Sequence, residues 1–182
     1  LRALPAPQSV FRLNRPVKVT IGDSMIAALP LAETETPSLH LDVTVEYDDP
    51  AIGRQRLVME TAHGQFCEDI SAARTFCYLS DVEMMRSRGL ALGGSMDNAI
   101  VVSDGEILND GGLRLEQEFV RHKALDMIGD FYLLGAPLAA RITAFRPGHE
   151  INTRFARELV ETAAGEIISQ PDALLPVHRA MA

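Results

Sequence analysis

Residues Ser38 to Tyr47 read Ser-Leu-His-Leu-Asp-Val-Thr-Val-Glu-Tyr, a strict alternation that puts Leu39, Leu41, Val43, Val45 and Tyr47 on one face. A period of two sustained over that length predicts a strand with one face covered and the other in water. A chain carrying it must build a sheet and find something to cover one side of it. Asp48-Asp49-Pro50 then turns the chain, and Arg54 to Thr61 returns as the hairpin partner. Pro16 to Ile21 alternates as well and stops at Gly22-Asp23. Further short strands are expected at Arg74 to Leu79, at Ala99 to Ser103 with Glu106 to Leu108 over an Asp104-Gly105 turn, and at Arg141 to Phe145.

The cover has a helical period. Val120, Ala124, Met127, Phe131 and Leu134 form one apolar stripe, which predicts a long helix over Leu115 to Leu134 stopped by Gly135. A second long helix is expected over His149 to Ile168, after Arg146-Pro147-Gly148. Shorter ones are expected over His63 to Ala73 and over Ser80 to Arg88, the latter with Ser80 as N-cap and Gly89 at C′. Leu90 to Asp97 is apolar but broken by glycines and suits neither element. Paired strands mixed with helices that do not alternate regularly with them give an α+β chain. The expected architecture is a two-layer sandwich with helices packed on one face of a mainly antiparallel sheet. Residues 1–15, polar and irregular with Pro5 and Pro7, read as a linker, 16–170 as the domain and 171–182 as a loose tail.

Composition excludes several function classes. A formal net charge of −8 gives no general attraction to nucleic acid or to an anionic membrane. Cys67 and Cys77 form no CxxC pair, so neither a cysteine zinc site nor a disulfide framework is expected, and reduced thiols in the cytosol are. No apolar run approaches the ~18 residues of a membrane span, and Leu1 to Pro5 has no signal-peptide core. An opening Leu1 in place of methionine points to a piece of a longer protein.

The residues that suggest chemistry lie in Phe119 to Asp130. His122 and Asp126 are one helical turn apart, Asp130 is one turn further, and all three project away from the apolar stripe. An imidazole and a carboxylate so spaced can reach one metal ion, and zinc takes such donors at about 2.0–2.2 Å. The same spacing describes a solvated charged face. Catalytic zinc usually has three protein ligands, and this helix offers two. Spacing alone leaves both readings open.

A longer series of motifs bears on the choice. Ala73-Arg74-Thr75-Phe76, Gly89 to Asn98, Ile107 to Arg114, Glu118 to Asp126, Gly129-Asp130 and Gly148-His149, in that order, closely resemble the UDP-3-O-acyl-N-acetylglucosamine deacetylases, zinc-dependent enzymes of lipid A biosynthesis in Gram-negative bacteria. The resemblance runs from about residue 16 to 165 and is strongest between 73 and 150. The family has two similarly folded α+β domains with the active site between them, and this chain resembles the second. The first domain supplies the remaining histidine ligand and a glutamate base, and neither motif occurs here.

The resemblance therefore implies the C-terminal half of such an enzyme, with Zn2+ as cofactor and His122 and Asp126 as two of its ligands. It makes His149 the catalytic histidine, acting as an imidazolium that stabilises the oxyanion and protonates the leaving amine, with Asp130 as its partner. Thr75 would touch the reacting acetyl carbonyl and Phe76 would pack against substrate. Lys123 would meet the substrate diphosphate, as would Arg146, which stands where relatives often have lysine. The domain's insert would form a passage for the acyl chain, lined by Val82, Ala91, Ser95, Met96 and Val101. Leu39 stands where many relatives carry an aromatic near the uridine. The implied partners are UDP-3-O-acyl-N-acetylglucosamine and the N-terminal domain of the same enzyme, in the cytoplasm, with no nucleic acid and no stable membrane insertion. Residues 1–182 alone are expected to fold without catalysing.

Two other readings remain to be weighed. A non-catalytic α+β half could bind an acyl-sugar nucleotide or a partner protein, although His122, Asp126, Asp130 and His149 are all present. A metal-dependent phosphohydrolase would need a His-Asp dyad and further helical histidines, whereas His40 and His63 fall in or beside strands.

Overall fold

In the computed structural model, residues 9–61, 69–90 and 92–169 are described. They form strands β1 (Ser9–Leu13), β2 (Val17–Ile21), β3 (Ser24–Leu29), β4 (Leu39–Glu46), β5 (Arg54–Glu60), β6 (Thr75–Tyr78), β7 (Ala99–Ser103), β8 (Glu106–Ile107), β9 (Leu138–Phe145) and β10 (Gly165–Ser169). The helices are α1 (Leu79–Ser87), α2 (Glu118–Phe131) and α3 (His149–Glu161). None of these helices is long and apolar enough to cross a membrane.

The larger sheet is organised around β9. Along 141–145 it pairs antiparallel with β3, along 140–145 it pairs parallel with β4, and at 138–139 it pairs parallel with β1. β2, β5 and β10 extend the sheet by antiparallel pairing to β3, β4 and β1. The alternation of Ser38 to Tyr47 is realised directly. Leu39, Leu41, Val43 and Val45 are buried, while His40, Asp42, Thr44 and Glu46 lie on the wetter face. Helices α2 and α3 cover the apolar face. Val120, Ala124, Met127 and Phe131 from α2 meet Ile151, Phe155 and Leu159 from α3 over Ile26, Leu41, Val43 and Ile142. The Phe131 and Phe155 rings lie 5.4 Å apart at the helix–helix contact. This is the expected α+β sandwich, with a mainly antiparallel sheet and its long helices on one side.

A smaller sheet stands apart from the main one. In it β6 runs parallel to β7, with α1 in the crossover, and β7 forms a hairpin with β8. Ile100, Val102 and Phe119 build a second cluster that Phe76 and Tyr78 complete.

Several boundaries differ from expectation. Residues 9–13, expected in the linker, form β1, and Phe11 and Leu13 reach the main core. Strand β3 was not foreseen at all. Helix α3 ends at Glu161 instead of continuing to Ile168, and the chain enters β10. Ala163 takes a left-handed φ of 47°, while its N–H and that of Ala164 bond the Val160 and Leu159 carbonyls. That is a Schellman ending with alanine where glycine would have advertised it. Gly165 then lets β10 lie against β1, since a Cβ there would sit 2.4 Å from Phe11 Cε1.

Helix α2 starts at Glu118, later than expected, because Gln117 adopts a left-handed φ of 53°. Helix α1 begins at Leu79 without a side-chain cap, although Gly89 does end it with φ 72°. Leu39, considered beside the uridine, is buried in the main core and presents no face to a ligand. The helix expected at 63–73 lies mostly outside the described residues, as does the tail from 171.

The joint between the two sheets is ionic. Glu118 is fully buried and Arg74 nearly so. Arg74 donates from Nε to Oε1 at 2.9 Å, from Nη2 to Oε2 at 3.0 Å and from Nη2 to the Gly112 carbonyl at 2.7 Å. The backbone N–H groups of Arg74 and Arg114 complete the carboxylate's shell. Burial pushes the Glu118 carboxyl up, but the Arg74 side chain and these N–H groups outweigh it and hold it at about 2.

A folded-state value below the unfolded one means that the carboxylate stabilises the fold fully above pH ~4.5, and that this is lost as pH falls toward ~2. Breaking a buried pair costs about 3–5 kcal/mol. Glu118→Gln should therefore lower Tm by roughly 10 °C at pH 7. The gap from wild type should narrow when the melts are repeated at pH 3. An equal gap at both pH values would show that the ionised pair is not what holds the joint.

Candidate metal and acid–base site

One face of α2 carries the polar ladder, and the small sheet and α3 close around it. His122 Nε2 lies 3.3 Å from Asp126 Oδ1, and both side chains are largely out of water. His122 Nδ1 sits 3.3 Å from the Ala73 carbonyl, which can only accept, so the Nδ1 proton belongs there. Burial pushes the His122 imidazole below its ordinary value, against the pull of Asp126 and the Ala73 carbonyl. With Nδ1 turned to Ala73, the Nε2 atom faces a carboxylate oxygen. Two donors of a tetrahedral zinc, each at about 2.0–2.1 Å, are separated by about 3.3–3.4 Å. The pair fits two corners of such an ion. Among the described residues no group of three or more His, Cys, Asp or Glu side chains is arranged to hold a metal.

The second half of the site comes from α3. His149 opens that helix, and its Nδ1 donates to Asp130 Oδ2 at 2.8 Å. The bond leaves Nε2 free, 4.0 Å from Asp126 Oδ2. Asn152, buried in the same first turn of α3, donates from Nδ2 to the same Asp130 oxygen at 2.9 Å. The fold thus brings His122, Asp126, Asp130 and His149 together at the α2–α3 seam.

The remaining candidates are distributed around this seam. Lys123 Nζ is 3.3 Å from Asp126 Oδ2 and 5.3 Å from the centre of the Phe76 ring. Phe76 stands edge-on to His122, Tyr47 and Phe119, so it walls the site. Thr75 is exposed at the start of β6. Arg146 has a left-handed φ of 48°, stacks over Phe145 at 5.6 Å and approaches Asp23 at 3.6 Å. It also borders a hollow of about 360 Å³ with Tyr47 and Tyr78. Val82 is half-buried on α1 and Val101 is buried in β7, while Ser95 and Met96 are exposed in the loop before β7. Ala91 lies outside the described residues. Met84, Leu90 and Leu92 join Met96 as an exposed apolar group in this region, with Leu92 80% exposed.

Two residues had not been singled out. Tyr47 ends the alternating run, a position that suggested only a core side chain. Asn152 interrupts the apolar stripe of α3, and a polar residue on a buried flank was the available signal.

A family model described as UDP-3-O-acyl N-acetylglycosamine deacetylase matches residues 1–161. The chain belongs to this family. Among curated relatives named UDP-3-O-acyl-N-acetylglucosamine deacetylase, the protein of Oleidesulfovibrio alaskensis is 44% identical over 155 residues, covering 85% of this chain and 49% of the relative. That of Photobacterium profundum is 41% identical over 159 residues, covering 86% and 51%. That of Campylobacter hominis is 39% identical over 163 residues, covering 90% and 54%. The chain spans about half the length of the deacetylases it matches.

Proposed function

We propose that this chain is the C-terminal half of a zinc-dependent amidohydrolase that removes the N-acetyl group of UDP-3-O-acyl-N-acetylglucosamine during lipid A biosynthesis, in the cytoplasm of a Gram-negative bacterium. The observation that carries the reading is the facing of His122 Nε2 and Asp126 Oδ1 at 3.3 Å beside a histidine held by its own carboxylate. Residues 16–170 act as the C-terminal deacetylase domain, completed by an N-terminal domain that supplies the remaining ligand and the base.

His122 and Asp126 would hold the ion, with the Ala73 carbonyl fixing the His122 ring so that Nε2 is the atom left to face it. A zinc ion held there would supply Lewis acidity, toward a water molecule and toward the acetamide carbonyl. In the hydrolysis a water oxygen bonds to the carbonyl carbon, the C–N bond breaks, and the nitrogen leaves as an amine while acetate forms. His149 stabilises the tetrahedral oxyanion and delivers the Nε2 proton to the leaving nitrogen, while Asp130 holds the ring through Nδ1. Thr75 binds the acetyl carbonyl, and Phe76 excludes water beside it. Lys123 and Arg146 meet the diphosphate through their cationic side chains. Val82, Ala91, Ser95, Met96 and Val101 line the acyl passage, and the exposed apolar side chains near it fit a surface that receives a chain of methylenes.

In the full-length protein, His122→Ala and Asp126→Ala should each lose bound zinc and nearly all deacetylase activity. His149→Ala should keep its zinc and lose about 10²-fold in kcat. Metal analysis and acetate release read both effects. Full zinc content in the first two variants, or loss of zinc in the third, would exchange the roles and sink this assignment. Ser95→Phe should raise KM for a long-acyl substrate more than for one without the acyl chain, and equal effects would make the loop simply structural. Residues 1–182 alone should melt cooperatively, bind zinc weakly and release no acetate above background. Turnover by this fragment at ordinary enzyme rates would mean that no second half completes the site.

A further inference from the structure

Asp130 Oδ2 accepts two hydrogen bonds from the first turn of α3, one from His149 Nδ1 at 2.8 Å and one from Asn152 Nδ2 at 2.9 Å. The two donors are three residues apart on α3, and the acceptor is on α2. From this geometry we infer that Asn152 is a positioning residue for the acid–base pair. It fixes the Asp130 carboxylate so that His149 presents Nε2 beside Asp126. The inference rests on the reading of His149 as the proton-handling group.

Three features support it. His149 is exposed, with 69% of its side chain in water, so nothing packed around the ring sets its direction. Its orientation comes from Asp130, and Asp130 can pass on only as much order as it has itself. With His149 as the single partner the carboxylate could turn about its terminal torsion, and ring and carboxylate would swing together. A second donor from a side chain that is fully buried removes that freedom. The amide orientation is also dictated by chemistry, since a carboxylate oxygen can only accept and the group aimed at it must be NH₂.

Asn152 is moreover poorly suited to a purely structural role. Its Oδ1 is buried without a hydrogen-bond partner among the described residues. Such an acceptor carries a desolvation cost that a leucine of similar volume at the helix–helix contact would avoid. Packing does not account for an amide here, and the contact with Asp130 does.

The test compares Asn152→Leu, Asp130→Ala, the double variant and His149→Ala in the full-length protein. Melting temperature, zinc content, kcat and KM are measured for each. Asn152→Leu should keep its zinc and its melting temperature, hold KM within about two-fold, and lose on the order of 10-fold in kcat, the scale of losing an outer partner. In the Asp130→Ala background the same change should cost nothing further, because the group it positions is gone. If Asn152→Leu does not fold, Asn152→Ser is read against the same expectations. Unchanged kcat in Asn152→Leu, or the same fold-loss with and without Asp130, overturns the positioning role while an impaired His149→Ala leaves the acid–base reading standing. Wild-type kcat in His149→Ala overturns both.

Discussion

Glu118 begins α2 with its carboxylate wholly out of water, and the geometry of the site follows from how that charge is satisfied. The forked guanidinium of Arg74 and two backbone N–H groups surround it. A carboxylate in such a place is costly unless every lone pair is met, and the bidentate pairing also fixes direction. The residue before Arg74 is Ala73, whose carbonyl sets the tautomer of His122 one helical turn beyond Glu118. The ion pair thereby locks the strand edge that orients the imidazole to the helix that carries it. Phe76, two residues beyond Arg74 in β6, reaches Phe119 on one side and the His122 ring on the other. Charge, packing and the orientation of His122 share a few neighbouring residues, so the small sheet is a structural support for the candidate site as well as an appendage.

The same helix separates two tasks by its period. Val120, Ala124, Met127 and Phe131 are spent on the core, which fixes the azimuth of α2, and His122, Asp126 and Asp130 then point to the other side without further instruction. Helix α3 does likewise, burying Ile151, Phe155 and Leu159 so that His149 and Asn152 meet Asp130 across the seam. The rigidity of the His149–Asp130 pair on an exposed edge is borrowed from apolar contacts a few ångströms away. This is why a histidine so open to solvent can still have a defined direction.

The parts of this arrangement with a local signature were legible in the sequence. Strand β4 follows from strict alternation, α2 from its stripe, and the end of α1 from Gly89. The His122–Asp126 pairing follows from one helical turn. What was hidden depends on contacts distant in sequence or on residues in unusual roles. Ala163 ends α3 in a conformation usually given to glycine, and Gln117 delays α2 in the same way. Strand β1 sits among prolines and polar residues and exists because β9 and β10 accept it. The meeting of His149 with Asp130 crosses two elements, and only the family resemblance anticipated it. Leu39 lies in the core as its alternation predicts, and that burial answers what the resemblance left open about the uridine. Tyr47, on the same face but past the end of the strand, is the aromatic that borders the Arg146 hollow.

Strand β1 pairs antiparallel with β10, with Ser9 opposite Ser169 and Leu13 opposite Gly165. The chain therefore enters and leaves the described unit at neighbouring points on one edge of the sheet. Tension transmitted through the flanking chain would load the Ser9–Ser169 rung first and each inner rung in turn. The strands would be peeled apart like a zipper, with no need to shear every hydrogen bond at once. Force applied in this way, as by a processive unfoldase, would detach the rim at low load and leave the β4–β9 centre, with α2 and the site upon it, as the last part to yield.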